Sequence, residues 1–181
     1  MRPAILLQSG NYFDFVNPST DSFTLEDIAQ GLANTCRFGG HCHPYYSVAQ
    51  HCILASHYVP QEHAMAALLH DAAEAFVGDI PSPLKQMLTD FEQFESLAHA
   101  AVAQKFKIPE QMHPCIKEVD LRMLATEKRD VMPKTDMDWT ILSGIEPFKE
   151  QIVPMSQRDA KIGFLVRYVE IKASNRRSAL S

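Results

Sequence analysis

The chain lacks several features, and each absence excludes a class of protein. Its four cysteines, Cys36, Cys42, Cys52 and Cys115, form no C-x-x-C pair, which argues against a zinc ribbon or a thioredoxin-like redox centre. No run approaches the roughly 18 apolar residues that a membrane span requires. The apolar part of residues 1–8 is too short for a signal peptide. Basic residues are not in excess: 17 lysines and arginines stand against 22 acidic residues, a net charge of −5. That balance leaves no basic footprint for nucleic acid, although a local basic pocket for a small phosphorylated substrate remains compatible with it. Internal repeats and low-complexity blocks are absent. What remains is 181 residues of ordinary composition, 46% of them hydrophobic, which suits a single domain with a sizeable core. Four unpaired cysteines without a leader read as reduced thiols in a cytoplasmic protein.

The patterning predicts an all-α bundle with a small N-terminal β-hairpin. Ile5-Leu6-Leu7 and Tyr12-Phe13-Asp14-Phe15-Val16 are β-prone runs around Gly10. Thr24 and Asp27 have capping-box spacing ahead of Leu25, Ile28, Ala29 and Leu32, and this helix should reach about Cys36. Ser47 caps a helix that Pro60 ends. The next is expected from Gln61 to a C-terminal glycine at Gly78. Two prolines make Asp79-Ile80-Pro81-Ser82-Pro83 extended. Further helices are read over Phe91–Phe106, from Pro114 to about Val131, and over Arg158–Ile171 with Ile162, Leu165, Val166 and Val169 inward. A short helix between loops is placed around Asp136–Pro147. Residues 1–174 form one domain on this reading, and 175–181 a disordered tail.

Leu68-Leu69-His70-Asp71-Ala72-Ala73-Glu74 stands out for chemistry. On a helix, His70, Asp71 and Glu74 fall within roughly 100° of arc. They are either isolated charges on a solvated face or part of a site. His51 lies on an apolar helix face with Val48, Cys52 and Ala55, where a satisfied core histidine is the ordinary explanation. Asp120 lies between Val119 and Met123, where a carboxylate needs a partner. One arrangement accounts for all of them. His51, His70, Asp71 and Asp120 together offer two imidazoles and two carboxylates to a divalent cation, a donor set suited to Zn²⁺, Mn²⁺, Co²⁺ or Fe²⁺.

A lone histidine, a later His-Asp pair and a distant aspartate resemble the HD superfamily of metal-dependent phosphohydrolases. The longer strings Cys36-Arg37-Phe38-Gly39-Gly40-His41, Tyr46–His51, Leu69–Ala75, Gly78–Lys85 and Asp120-Leu-Arg-Met-Leu-Ala-Thr-Glu127 resemble its branch of bacterial 5′-deoxynucleotidases and phage dATP triphosphohydrolases. The resemblance covers roughly residues 24–130. It implies that His51, His70, Asp71 and Asp120 hold Zn²⁺, Mn²⁺ or Co²⁺, with Mg²⁺ as a possible second ion on substrate phosphates. Water activated by the cation would attack the α-phosphorus of a nucleotide, releasing deoxynucleoside plus phosphate or polyphosphate. Glu74 matches the acid that orients or deprotonates that water, and Asp79 a second acid near the reacting phosphate. Arg37 matches a phosphate-contacting arginine, while Lys85 and Lys117 are further candidates for phosphate charge. Phe38 stands where these relatives often carry a tryptophan against the sugar. The same resemblance implies a homo-oligomer acting on a small nucleotide, with no nucleic-acid or membrane partner. The alternatives are a general 5′-deoxynucleoside monophosphatase and a non-catalytic HD module. Intact ligands weigh against the latter.

The other polar candidates read as bystanders. His41 and His43 line a loop, His57, His63, His99 and His113 lie at the surface, and Trp139 packs. Ser47 has no G-x-S-x-G context for a serine hydrolase.

Overall fold

A computed structural model describes residues 2–178, except for the side chain of Ser178. It is mostly helical, with one two-stranded antiparallel sheet. Strands β1 (Ala4–Leu6) and β2 (Tyr12–Asp14) pair with Ile5 opposite Phe13. Helices follow in order: α1 (Leu25–Asn34), α2 (Val48–Tyr58), α3 (Ala64–Leu68), α4 (Glu74–Val77), α5 (Ser82–Lys85), α6 (Phe91–Phe106), α7 (Pro114–Asp130) and α8 (Gln157–Ser178). Short 3₁₀ turns cover Arg37–Gly40, Gln61–His63 and Thr140–Leu142.

Local chemistry sets the first helix. Thr24 Oγ1 accepts from the Asp27 N–H, and Asp27 Oδ2 accepts from the Thr24 N–H, closing the capping box. The other Asp27 oxygen accepts from the Ser9 N–H at 2.8 Å, so one carboxylate ties the hairpin turn to α1. The hairpin also supports α4. Phe13, fully buried, stacks on Phe76 with centroids 4.0 Å apart, and Phe23 packs edge-on against both. Helix α1 packs against α2, α4 and α8, and α2 against α3, α7 and α8. Helix α2 is therefore central, with Val48 through Ile53, Ala55 and Ser56 all buried. Two apolar clusters meet at this helix: a main one containing Ile28, Leu32, Val48, Leu68 and Phe164, and a second with Tyr46, Ala55, Val119, Met123 and Phe148.

Several expectations need correction. Helix α1 stops at Asn34, because Thr35 turns to an extended backbone (ψ 115°) and its carbonyl accepts from the Val48 N–H. The single helix expected over Gln61–Val77 is broken: residues 69–73 are turns between α3 and α4. There the Ala67 carbonyl, which a continuous helix would give to the Asp71 N–H, accepts from His70 Nδ1 at 2.7 Å. The Ala72, Glu74 and Phe76 N–H groups instead make tighter bonds three residues back. Pro83 does not extend its segment; it sits in the first turn of α5, where a missing N–H costs nothing. On α8 the buried positions are Ala160, Phe164 and Ile171, while Ile162, Val166 and Val169 are exposed. Two apolar stripes run down that helix, and the one with phenylalanine took the core. The helix also continues through 175–178, where a tail was expected, and residues 179–181 lie outside the described residues.

Candidate metal and phosphate site

Three segments converge on one point. Ser47 Oγ caps α2 by accepting from the Gln50 N–H, and His51 follows on the first turn, fully buried. The 69–73 turn supplies His70 and Asp71, and α7 supplies Asp120. His51 Nε2 lies 3.2 Å from His70 Nε2, 3.2 Å from Asp120 Oδ1 and 3.6 Å from Asp71 Oδ2. His70 Nε2 lies 3.2 Å from Asp71 Oδ2 and 3.8 Å from Asp120 Oδ1. Donors sharing one cation at bond lengths of about 2.0–2.2 Å sit ~3–3.5 Å apart. The three separations of 3.2 Å fall in that range, and the two longer ones, 3.6 and 3.8 Å, lie just beyond it.

The tautomers fit as well. His70 Nδ1 faces the Ala67 carbonyl, and His51 Nδ1 faces Glu127 Oε1 at 2.6 Å. Both partners only accept, so each Nδ1 carries the proton and each Nε2 lone pair points into the cluster. Facing lone pairs and carboxylates demand positive charge between them. The electrostatics say the same. Burial works against a charged imidazole at His70, yet Asp71, Cys52 and Asp120 together outweigh it and raise the pKa well above the ordinary value. Burial likewise opposes the Asp120 carboxylate, but hydrogen bonds to His51 and His70 hold it well below the usual range. The chemistry of this donor set fits a divalent transition metal.

Glu74 is the first residue of α4, buried beside this cluster, and its Oε2 has no hydrogen-bond partner among the described residues. Burial first, then the charges of Asp71 and Asp79, push its carboxyl well above the usual range, against the pull of Arg37 and Lys85. Asp79, half-buried, is also raised, by burial and by Asp71 and against Arg37. A cleft of about 420 Å³ opens here, lined by His70, Asp71, Glu74, Lys85, Glu95 and His99 among others.

The cationic candidates divide. Arg37 belongs to the site. The Cys36–Ser47 bridge and the Arg37 N–H bond to the Tyr46 carbonyl close its loop. Its Nη2 donates to Glu127 Oε2 at 2.9 Å, and its Nη1 lies 3.9 Å from Asp71 Oδ2. Its Nε is buried without a hydrogen-bond partner among the described residues. Lys85 lines the cleft but is paired with Glu95 at 2.6 Å. Lys117 stands exposed on α7, one turn before Asp120. Phe38 is half-buried in the left-handed region (φ 55°), its ring 5.4 Å from the Arg37 guanidinium and 5.8 Å from Trp139. Trp139 thus packs on Phe38. His41 and His43 are exposed and outside the cluster.

Sequence reasoning quoted Glu127 at the end of a motif and gave it no role. It is fully buried and bridges His51 and Arg37. Its signal was available: Asp120 and Glu127 are seven residues apart, two turns along one helix face. The two carboxylates grip the His51 ring at its opposite nitrogens. A second donor group, His63, His113 and Cys115, also comes together away from this site. Its imidazoles are stacked 4.0 Å apart and 18° from parallel, so their in-plane lone pairs do not share a focus, and His113 Nδ1 accepts from the Cys115 N–H at the α7 N-terminus. That group works as a helix cap.

The fold and the donor cluster define the class, an HD-superfamily phosphohydrolase. Residues 43–136 match the family described as 5′-deoxynucleotidase YfbR-like, and the chain belongs to that family. The matched span holds His51, His70, Asp71, Glu74, Asp79, Asp120 and Glu127, and excludes Arg37 and Phe38. The chain is 41% identical to the uncharacterised protein YfdR of Escherichia coli (strain K12) over 165 residues, 90% of this chain and 92% of that one. It is 33% identical over 119 residues to an uncharacterised protein of Rhodobacter capsulatus, covering 60% and 61% of the two chains. Among the described residues no helix is long and apolar enough to cross a membrane.

Proposed function

We propose that the chain is a metal-dependent 5′-deoxynucleotidase that hydrolyses the 5′-phosphate ester of deoxynucleoside monophosphates. The observation that carries this reading is the convergence of four cation donors beside a buried, partnerless Glu74 on the wall of an open cleft. Membership of the family supports the substrate class.

His51, His70, Asp71 and Asp120 hold the cation in this reading. When bound, it polarises a phosphoryl oxygen and makes nearby water more acidic. Glu74 takes a proton from the attacking water. As water adds to phosphorus, the bond to the 5′-oxygen breaks, and Asp79 delivers a proton to that oxygen or holds the substrate. Arg37 offers its Nη1, on the Asp71 side, to phosphoryl oxygens, while Nη2 stays on Glu127. Phe38 lies beside the sugar.

The charge inventory favours a monophosphate. Arg37 and Lys85 are each already opposed by a carboxylate, Glu127 and Glu95. The β and γ phosphates of dATP would need further cations, of which Lys117 is the exposed candidate. Incubation with dAMP, AMP and dATP in Mn²⁺, Co²⁺ or Zn²⁺, with product analysis, tests the reading. Deoxyadenosine and inorganic phosphate from dAMP are expected. Intact triphosphate from dATP alone would replace the monophosphatase with a dATP triphosphohydrolase. No turnover of any nucleotide, or full activity after His70→Ala, would sink the enzyme.

We also infer a cytoplasmic setting, which suits four free thiols, and self-association. The exposed apolar stripe Ile162, Val166 and Val169 on α8 is the surface for a second copy. A monomer at micromolar concentration in sedimentation would remove the second point.

A further inference from the structure

Glu127 is more than a buried charge with two neighbours. Its two oxygens go to different tasks. Oε1 accepts the His51 Nδ1–H at 2.6 Å, and Oε2 accepts the Arg37 Nη2–H at 2.9 Å. The side chain is fully buried, as is that of His51. Two side chains that the proposed function assigns to different partners, the cation and the phosphoryl group, therefore hang on one carboxylate. Neither has an independent anchor at that end. His51 turns only about its two side-chain torsions, and Asp120, on the same α7 face, meets its other nitrogen. Arg37 comes from a loop with Phe38, Gly39 and Gly40 all at positive φ. Such a loop does not by itself immobilise a guanidinium.

We propose that Glu127 is a positioning residue that aligns the cation ligand His51 and the phosphate ligand Arg37 with a single carboxylate, so that cation affinity and substrate binding are lost together when it is changed. The inference rests on the reading of the His51, His70, Asp71 and Asp120 cluster as a cation site. Its physical content is twofold. An ionised acceptor on Nδ1 holds the imidazole in the tautomer whose Nε2 ligates and increases its basicity. The same charge, bound in charge-assisted geometry to Nη2, sets the plane of the guanidinium and leaves Nη1 on the Asp71 side of the cluster.

The test compares the wild type with Glu127→Gln and with the double variant Arg37→Met/Glu127→Leu, in three measurements. These are Co²⁺ or Mn²⁺ affinity by competition with a chromophoric chelator, thermal melting of the metal-free protein, and KM with kcat for dAMP. Glu127→Gln keeps size and an acceptor oxygen but loses the charge. It is expected to bind the cation about 10–100-fold more weakly and to raise KM for dAMP at saturating cation. The double variant removes both buried charges. It is expected to recover most of any melting temperature that Glu127→Gln loses, while cation affinity stays at least tenfold down. A carboxylate that serves only to neutralise Arg37 predicts the opposite, with affinity restored in the double variant. Wild-type affinity in Glu127→Gln, or a lowered affinity with KM unchanged, overturns the proposal while leaving the cation site standing. Failure of the wild type to bind any divalent cation overturns the site and the proposal together.

Discussion

At the scale of single residues, Glu74 shows how a site sets stability against chemistry. A buried carboxyl with a partnerless oxygen costs the fold something that a solvent-exposed one does not. Its folded pKa is raised. The neutral form is therefore the one the fold favours, and the stability it allows is present at low pH and lost as pH rises through the raised value. Glu74→Gln should accordingly raise the melting temperature of metal-free protein more at pH 8 than at pH 5, while lowering kcat by about 10²–10⁴-fold. Equal melting shifts at both pH values would contradict the assigned environment. Phe38 is the second such residue. Holding a bulky side chain at φ 55° costs about 1–2 kcal/mol, and strain of this kind concentrates at functional sites. Phe38→Ala should shrink discrimination between dAMP and AMP by about 2–10-fold, in line with the ~0.5–1.5 kcal/mol that ring contacts supply. Unchanged selectivity would place the sugar elsewhere.

At the scale of elements, α1 and α4 meet closely at Gly31. A Cβ built on Gly31 would lie 2.7 Å from the Ala75 carbonyl oxygen and 2.9 Å from its Cα. Both are backbone atoms, which cannot swing aside. Gly31→Ala should destabilise by about 1–3 kcal/mol despite its better helix propensity. Because Ala75 follows Glu74, it should also lower kcat; a denaturant melt and a rate measurement check both. The elements differed in how legible they were. The α1 capping box and the Ser47 cap were readable, because each is a local hydrogen-bond pattern between residues three apart. The break at 69–73 was not, because it depends on a side-chain bond from His70 to the Ala67 carbonyl that periodicity does not register. On α8 the periodicity held for two stripes, and choosing between them required knowing which one faces α1 and α2.

At the scale of the whole molecule, the donors come from α2, the 69–73 turn and α7, so an unfolded chain would hold them far apart. A cation that binds only the folded form adds about 2.7 kcal/mol at a concentration one hundred times its dissociation constant. Added Mn²⁺, Co²⁺ or Zn²⁺ should therefore raise the melting temperature, a chelator should reverse the rise, and His51→Ala should abolish it. A rise that survives His51→Ala would locate the binding elsewhere. The sequence by itself determined the helical class, the caps and the residue types of the candidate cation site. Those follow from local hydrogen bonding and from the chemistry of His-Asp spacing. Only the tertiary structure decided which face of α8 is buried, that Lys85 is already paired with Glu95, and that Glu127 joins His51 to Arg37. Each of these is a contact between residues distant in the chain or a choice between equivalent faces. Packing and charge pairing settle such matters only once the elements have come together.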